Sequence, residues 1–216
     1  MDRIVVADDH PLFRAALVSA VARAVPGAVV VETPSLAGAR EALAAGPVDL
    51  LLLDLRLSDS DGFTGLAGVR ADYPAVPVVV VSASEDGATV ARTLAFGASG
   101  FIPKSATLGV MVEALSEIRA GEIWAPVPVD PGSGEGMEAR IASLTPSQLK
   151  ILIGLQQGRL NKQIAFDLGV TEATIKAHLT GVFRKLGVQN RTQAVIAARA
   201  LSLEPDRRPD DDHSAP

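Results

Sequence analysis

A chain of 216 residues, 48% of them hydrophobic, has room for one large domain or two smaller ones with real cores. The absence of cysteine excludes a disulfide framework and thiolate metal sites and fits a reducing compartment. The formal net charge of −5 divides unevenly, with −6 over residues 1–122 and +6 over residues 141–203, so nucleic acid is a candidate partner for the second part.

The three histidines (His10, His178 and His213) are too scattered in sequence to suggest a metal cluster. No apolar stretch approaches the ~20 residues of a membrane span. Asp2, Arg3, Asp8 and Asp9 interrupt the apolar N-terminal run, so a soluble, cytoplasmic protein without a signal peptide or membrane partner is expected.

In chain order, a short apolar strand over 4–7 runs into Asp8 and Asp9, and a helix is expected over 11–25. A second strand over 28–33 and a helix over 36–45 follow. Residues 48–55, VDLLLLDL, are apolar without alternation, the pattern of a strand buried on both faces. A helix over 62–73, a strand over 76–82, a helix over 87–96 and a strand over 100–103 continue the series. A final helix after Ser105 carries Leu108, Met111, Val112, Leu115 and Ile118 on one stripe. Five βα units predict a doubly wound α/β domain with a five-stranded parallel sheet.

A dinucleotide site would need G-x-G-x-x-G after the first strand, where this chain has D-D-H-P-L-F. In the alternative flavodoxin-like order, 2-1-3-4-5, the switch point lies between strands 1 and 3. Those strands end in Asp8-Asp9 and Asp54, and three converging carboxylates call for a hard divalent cation, Mg²⁺. Ser82 and Lys104 follow strands 4 and 5 and can face the same crevice. A carboxylate nucleophile beside a hydroxyl, an ammonium and a metal suits a phosphoryl group.

Asp8-Asp9, Asp54, Ser82-Ala83 and the run GASGFIPKS containing Lys104 resemble the receiver domain of two-component response regulators. The resemblance implies that Asp8, Asp9, Asp54 and the backbone carbonyl of Arg56 hold Mg²⁺. It also implies that Asp54 accepts phosphate from a cognate sensor histidine kinase, with Ser82 and Lys104 engaging the phosphoryl group. Phe101 falls at the family's aromatic switch position and acts with Ser82; a plain core aromatic is the other reading. Ser58 stands where the family usually has Pro, near Asp59 and Asp61, which bears on metal affinity and phosphoryl lifetime.

Residues 1–121 are thus read as the receiver and 122–140, rich in Pro and Gly, as a flexible linker. Residues 141–203 read as helical throughout and predict a small all-α helix-turn-helix domain. Thr145, Pro146 and Gln148 form a capping-box start, and Gly158 ends that helix. Asn161 is expected to cap a short helix over 162–168, and Thr171 opens a helix closed by Gly187. Ile175, Leu179, Val182, Phe183 and Leu186 mark the buried stripe of the Thr171 helix. Ala173, Lys176, Ala177, Thr180 and Arg184 lie on its other face. Small and cationic residues there allow close approach to double-stranded DNA, although a solvated face is the ordinary alternative.

The run LTPSQLKILIGLQQGRLNKQIAFDLGVTEATIKAHLTGVFRKLGVQNRTQAV is similar to the LuxR/NarL-type output domain. The resemblance implies base-facing Lys176, Ala177 and Thr180, and phosphate contacts from Lys162, Thr174, Arg184, Lys185 and Arg191. It also implies a dimerisation helix over about 192–201, and a homodimer when phosphorylated or DNA-bound. The acidic tail, 204–216, is expected to be disordered. Together these readings give a transcription regulator switched by phosphorylation of Asp54. The acidic receiver is expected to dock on the basic domain and mask its recognition helix. An atypical receiver, with constitutive or ligand-gated DNA binding, is the alternative. A phosphohydrolase would need a separate general acid or base near Asp54.

Overall fold

The structure, a computed structural model, describes residues 1–126 and 136–202. The first domain comprises β1 (Arg3–Ala7), α1 (Pro11–Ala24), β2 (Val29–Thr33), α2 (Leu36–Ala44), β3 (Leu50–Asp54), β4 (Arg56–Leu57), β5 (Ser60–Asp61), α3 (Phe63–Asp72), β6 (Val78–Ser82), α4 (Gly87–Ala95), β7 (Gly100–Pro103) and α5 (Leu108–Arg119). The main sheet is parallel, in the order β2-β1-β3-β6-β7. This is the expected 2-1-3-4-5 order once the two-residue strands β4 and β5 are set aside. Those two form a small antiparallel ribbon straight after Asp54, which no periodicity announces.

Every residue of β3 and β6 is buried, because helices cover both faces. The pleat sends Leu51 and Leu53 to the side of α2, α3 and α4, and Leu50 and Leu52 to the side of α1 and α5. The C-terminal ends of β1 and β3 therefore lie side by side, Ala7 paired with Leu53, which brings Asp8 and Asp54 to one rim.

The linker reading needs revision at both ends. Trp124 forms a parallel bridge with Gly100, and the Phe101 N–H donates to the Trp124 carbonyl at 2.9 Å, so the chain after α5 extends the sheet edge. A Cβ at Gly100 would stand 2.6 Å from Ile118 Cδ1 and 3.1 Å from the Trp124 carbonyl, so glycine lets the chain approach here without shifting either neighbour. Helix α6 (Met137–Ala142) then begins inside the stretch expected to be linker. The rest of that stretch, 127–135, and the tail expected to be disordered lie outside the described residues.

The second domain continues with α7 (Pro146–Gln156), α8 (Asn161–Asp167), α9 (Glu172–Leu186) and α10 (Arg191–Ala197), which runs into a 3-10 turn over Ala198–Leu201. The Thr145–Gln148 capping box forms as expected. Gly187 ends α9 at φ 70°, in the left-handed region that favours glycine. Asn161 is not the cap of α8: the cap is Leu160, whose N–H donates to Gln163 Oε1 at 2.7 Å. The Asn161 side chain instead accepts from Arg191 Nη1 at 3.2 Å, tying α8 to α10.

The two domains share one apolar cluster, in which Ile141, Leu144 and Leu149 join Phe63, Leu66 and Phe96. Arg92 of α4 is the polar centre of the contact. Its guanidinium lies 4.5 Å over the Phe63 ring, and Nε is 3.3 Å from Glu138 Oε1. Its Nη2 donates to the carbonyls of Ala200 and Ser202. Beside it, Asp72 takes Arg40 at 2.6 Å and Lys150 at 3.0 Å. Burial alone would raise the Asp72 pKa; hydrogen bonds and charges from Arg40 and Lys150 outweigh it and hold the carboxyl below its ordinary range. Arg92→Ala removes the Arg92 bonds to Glu138, Ala200 and Ser202 and should enlarge the radius of gyration measured by X-ray scattering. An unchanged radius would mean that the apolar cluster and the Lys150–Asp72 ion pair suffice to hold the domains together.

Candidate functional site

Asp8 is fully buried and Asp54 is 3% exposed. Such carboxylates survive burial only when paired. Lys104, leaving β7, supplies the partner for both: Nζ is 2.8 Å from Asp8 Oδ2 and 2.7 Å from Asp54 Oδ2. The Lys104 N–H also donates to the Ser82 carbonyl at 2.8 Å, which fixes β7 against β6 at the rim. The ammonium rests 5.0 Å from the centre of the Phe13 ring. Burial alone would lower the Lys104 pKa; hydrogen bonds and charges from Asp54 and Asp8 outweigh it and raise the pKa above its ordinary value.

Backbone amides orient the carboxylates. Asp8 Oδ1 accepts from the His10 N–H at 2.8 Å, and Asp54 Oδ1 from the Arg56 N–H at 3.0 Å. Ser82 is buried beyond Asp54, and its Oγ accepts from the Ser84 N–H at 3.1 Å. Asp8, Asp9, His10 and Asp54 each offer one ligand atom, all within 4.8 Å of one another. Oδ1 of Asp9 is buried without a hydrogen-bond partner. Three carboxylates against one ammonium leave two charges uncompensated, the charge of one divalent ion, so the three carboxylates by themselves fit Mg²⁺.

The loop that departs from the usual pattern has a structural use. Asp59 turns away from the acidic cluster and accepts from the N–H groups of Leu36 and Ala37, both at 2.8 Å, at the start of α2. Both of its oxygens are therefore engaged by α2 rather than turned to a cation beside Asp54. Sequence reasoning missed His10, which the chain turn folds back on the acids it follows. It also missed Arg14, whose Nη1 donates to the Asp8 carbonyl at 2.6 Å. Phe101 is fully buried in the apolar cluster between β7, α3 and α4.

In the second domain Lys176, Ala177, Thr180 and Arg184 are exposed on α9, and Lys162 is exposed on α8. Thr174 is half-buried, with its hydroxyl 2.9 Å from that of Thr171. Two of the expected phosphate contacts also bond within the domain. Lys185 Nζ donates to the Ser143 carbonyl at 2.7 Å, and Arg191 donates to Asn161 and, at 2.5 Å, to the Arg159 carbonyl. Nor does the receiver mask the recognition helix. It docks through α6, α7 and the turn after α10, leaving the basic face of α9 open.

Comparison with known proteins agrees with both halves. Residues 4–116 match the response regulator receiver domain family, and residues 142–198 match the bacterial regulatory proteins of the luxR family. The chain is a LuxR-type response regulator. It is 37% identical over 210 residues to the glycerol metabolism activator of Pseudomonas putida, covering 92% of this chain and 95% of that protein. It is 34% identical over 206 residues to the probable transcriptional regulatory protein NarL of Mycobacterium tuberculosis, covering 93% and 95%. A solved structure of two RcsB dimers bound to two parallel DNAs shares the fold, with a TM-score of 0.55 at 20% identity, covering 93% of this chain and 99% of that one. In this family phosphorylation of the receiver typically switches a transcription-regulating output domain. Among the described residues no helix is long and apolar enough to cross a membrane.

Lys104→Ala would leave Asp8 and Asp54 buried without their cation and should cost about 3 kcal/mol in metal-free protein, read by denaturant unfolding. Because the folded-state pKa of Lys104 is raised, its contribution is complete below the ordinary Lys pKa and lost as pH climbs through the raised value. The wild-type advantage over the variant should therefore shrink only in strongly alkaline solution. An advantage that already shrinks near neutrality would contradict this assignment.

Proposed function

We propose that Asp54 is the phosphoacceptor of this regulator, and that the observation carrying the reading is the Lys104 ammonium shared between Asp8 and Asp54. In the transfer, an Asp54 carboxylate oxygen bonds to phosphorus while the P–N bond of a sensor kinase phosphohistidine breaks, and the imidazole leaves. The ammonium beside Asp54 is then placed to pair with a phosphoryl oxygen. Ser82 sits one residue beyond Val81, the β6 partner of Asp54, from where its hydroxyl can swing to the same group. Asp8, Asp9, Asp54 and the Arg56 carbonyl would hold Mg²⁺, which when bound neutralises phosphoryl oxygens. Recruitment of Ser82 and Lys104 draws on β6 and β7, and the buried Phe101 lies on β7 opposite Val80 of β6.

The output is DNA binding through α9. Lys176, Ala177 and Thr180 face the bases, and Lys162, Thr174 and Arg184 the phosphates. Lys185 and Arg191 bond within the domain, to the Ser143 carbonyl and to Asn161 and the Arg159 carbonyl, and keep further N–H donors for phosphate. A homodimer, built when the protein is phosphorylated or DNA-bound, suits paired half-sites. A DNA partner implies residence in the cytoplasm.

Asp54→Asn should abolish acid-labile phosphate incorporation from a small phosphodonor with Mg²⁺ while leaving the circular dichroism spectrum unchanged. Undiminished labelling would move the acceptor elsewhere. On the DNA side, Lys176→Ala should weaken binding by on the order of 1–3 kcal/mol if the lysine reads a base edge. A uniform loss across all sequences, with a shallower salt dependence, would make it a phosphate contact.

A further inference from the structure

We infer that His10 is a metal ligand of the receiver, so that this site selects first-row transition ions, Mn²⁺ through Zn²⁺, over Mg²⁺. The inference rests on the metal-site reading of Asp8, Asp9 and Asp54. Its own support begins with the place of His10 in the fold. His10 is the N-cap of α1, a position where side chains with an oxygen acceptor ordinarily bind the first free N–H groups. Here no side-chain cap bond forms. Pro11 at the first helical position holds His10 in an extended conformation, φ −90° and ψ 106°, and the ring turns to the carboxylates instead.

The contacts are those of neighbouring ligands. Nδ1 lies 2.7 Å from Asp9 Oδ1 and 3.6 Å from Asp8 Oδ1. Adjacent ligands of an octahedral ion with bonds of about 2.1 Å sit roughly 3.0 Å apart, and opposite ones roughly 4.2 Å apart. The four donors, within 4.8 Å of one another, need close by only about half an ångström to fit. Asp9 Oδ1 makes no well-aligned hydrogen bond, and the atom that stands at ion-pair distance from it is His10 Nδ1, at 2.7 Å. A common ion would satisfy both atoms.

The chemistry sets the selectivity. Three carboxylates alone suit Mg²⁺, a hard ion that keeps several waters. An imidazole nitrogen in place of one water favours borderline ions, in the order Mn²⁺ below Ni²⁺ and Zn²⁺. The ring is 69% exposed, so it can swing onto an entering ion without rearranging the core.

Calorimetric titration of the full chain with Mg²⁺, Mn²⁺ and Ni²⁺ separates the claims, using wild type, His10→Ala and His10→Asn. The Asn variant keeps a good helix cap, so its folding is secure if the Ala variant is weakened. Both substitutions should lower Ni²⁺ affinity by roughly tenfold or more and leave Mg²⁺ affinity within about twofold. Pulsed electron paramagnetic resonance of Mn²⁺ bound to wild type should show nitrogen modulation from the imidazole, absent in both variants. Equal affinities in all three proteins, or no nitrogen coupling in wild type, would overturn the role of His10 while leaving the carboxylate site intact. Failure of wild type to bind even Mg²⁺ would overturn both readings.

Discussion

The structure turns on one ammonium. Asp8 and Asp54 lie under the surface because parallel pairing of β1 with β3 puts both strand ends at the same rim. Two buried carboxylates at that distance repel each other, and the rim is stable only because Lys104 lies between them. Lys104 is in turn fixed by the pairing of β7 with β6, through its own N–H to the Ser82 carbonyl. The ends of four consecutive strands, β1, β3, β6 and β7, are thereby tied to one residue. Any ligand that brings positive charge to the acids, or negative charge to Asp54, changes what Lys104 must do. The backbone joins Lys104 directly to Ser82, through its carbonyl, and to the strand carrying Phe101.

That strand has an unexpected neighbour. The Phe101 N–H bonds to the Trp124 carbonyl, so the chain at Trp124 is part of the receiver's sheet edge. On the other side of β7, α4 carries Arg92 into the second domain. Backbone pairing and the Arg92 contacts thus leave from the same edge of the receiver, the edge farthest from β2.

Much of this was legible in the sequence. VDLLLLDL marked a strand covered on both faces, and the acids after strands 1 and 3 fixed where the crevice opens. The grouping of Asp8, Asp9, Asp54 and Lys104 followed from strand order, because a parallel sheet puts all its strand ends on one rim. What escaped was contact whose signal is a single residue. The Trp124 bridge hides in a Pro- and Gly-rich stretch, and the β4–β5 ribbon is too short to show a period. His10 looked isolated because histidines were counted along the chain, whereas its relevant neighbours are the aspartates beside it. Lys185 and Arg191, which the resemblance marks as phosphate contacts, also bond within the domain, Lys185 to the Ser143 carbonyl and Arg191 to Asn161 and the Arg159 carbonyl, and no pattern in the sequence announces those bonds. Composition gives the sign of a surface, not the direction of each side chain.

The charge split between the domains invited a picture in which the acidic receiver covers the basic DNA face. The structure shows why opposite net charge is a poor guide to docking. Screening limits exposed charges to about 10 Å or less, so the contact is chosen by local groups. Those groups are apolar: Phe63, Phe96, Ile141 and Leu149, flanked by the Arg92 and Asp72 pairs. The face they select includes the 3-10 turn at the end of α10 and excludes the open side of α9. Docking in this geometry cannot block DNA by covering the recognition helix. What it holds is the 3-10 turn that ends α10, so a change at the α4 face of the receiver reaches the second domain at that turn rather than at α9.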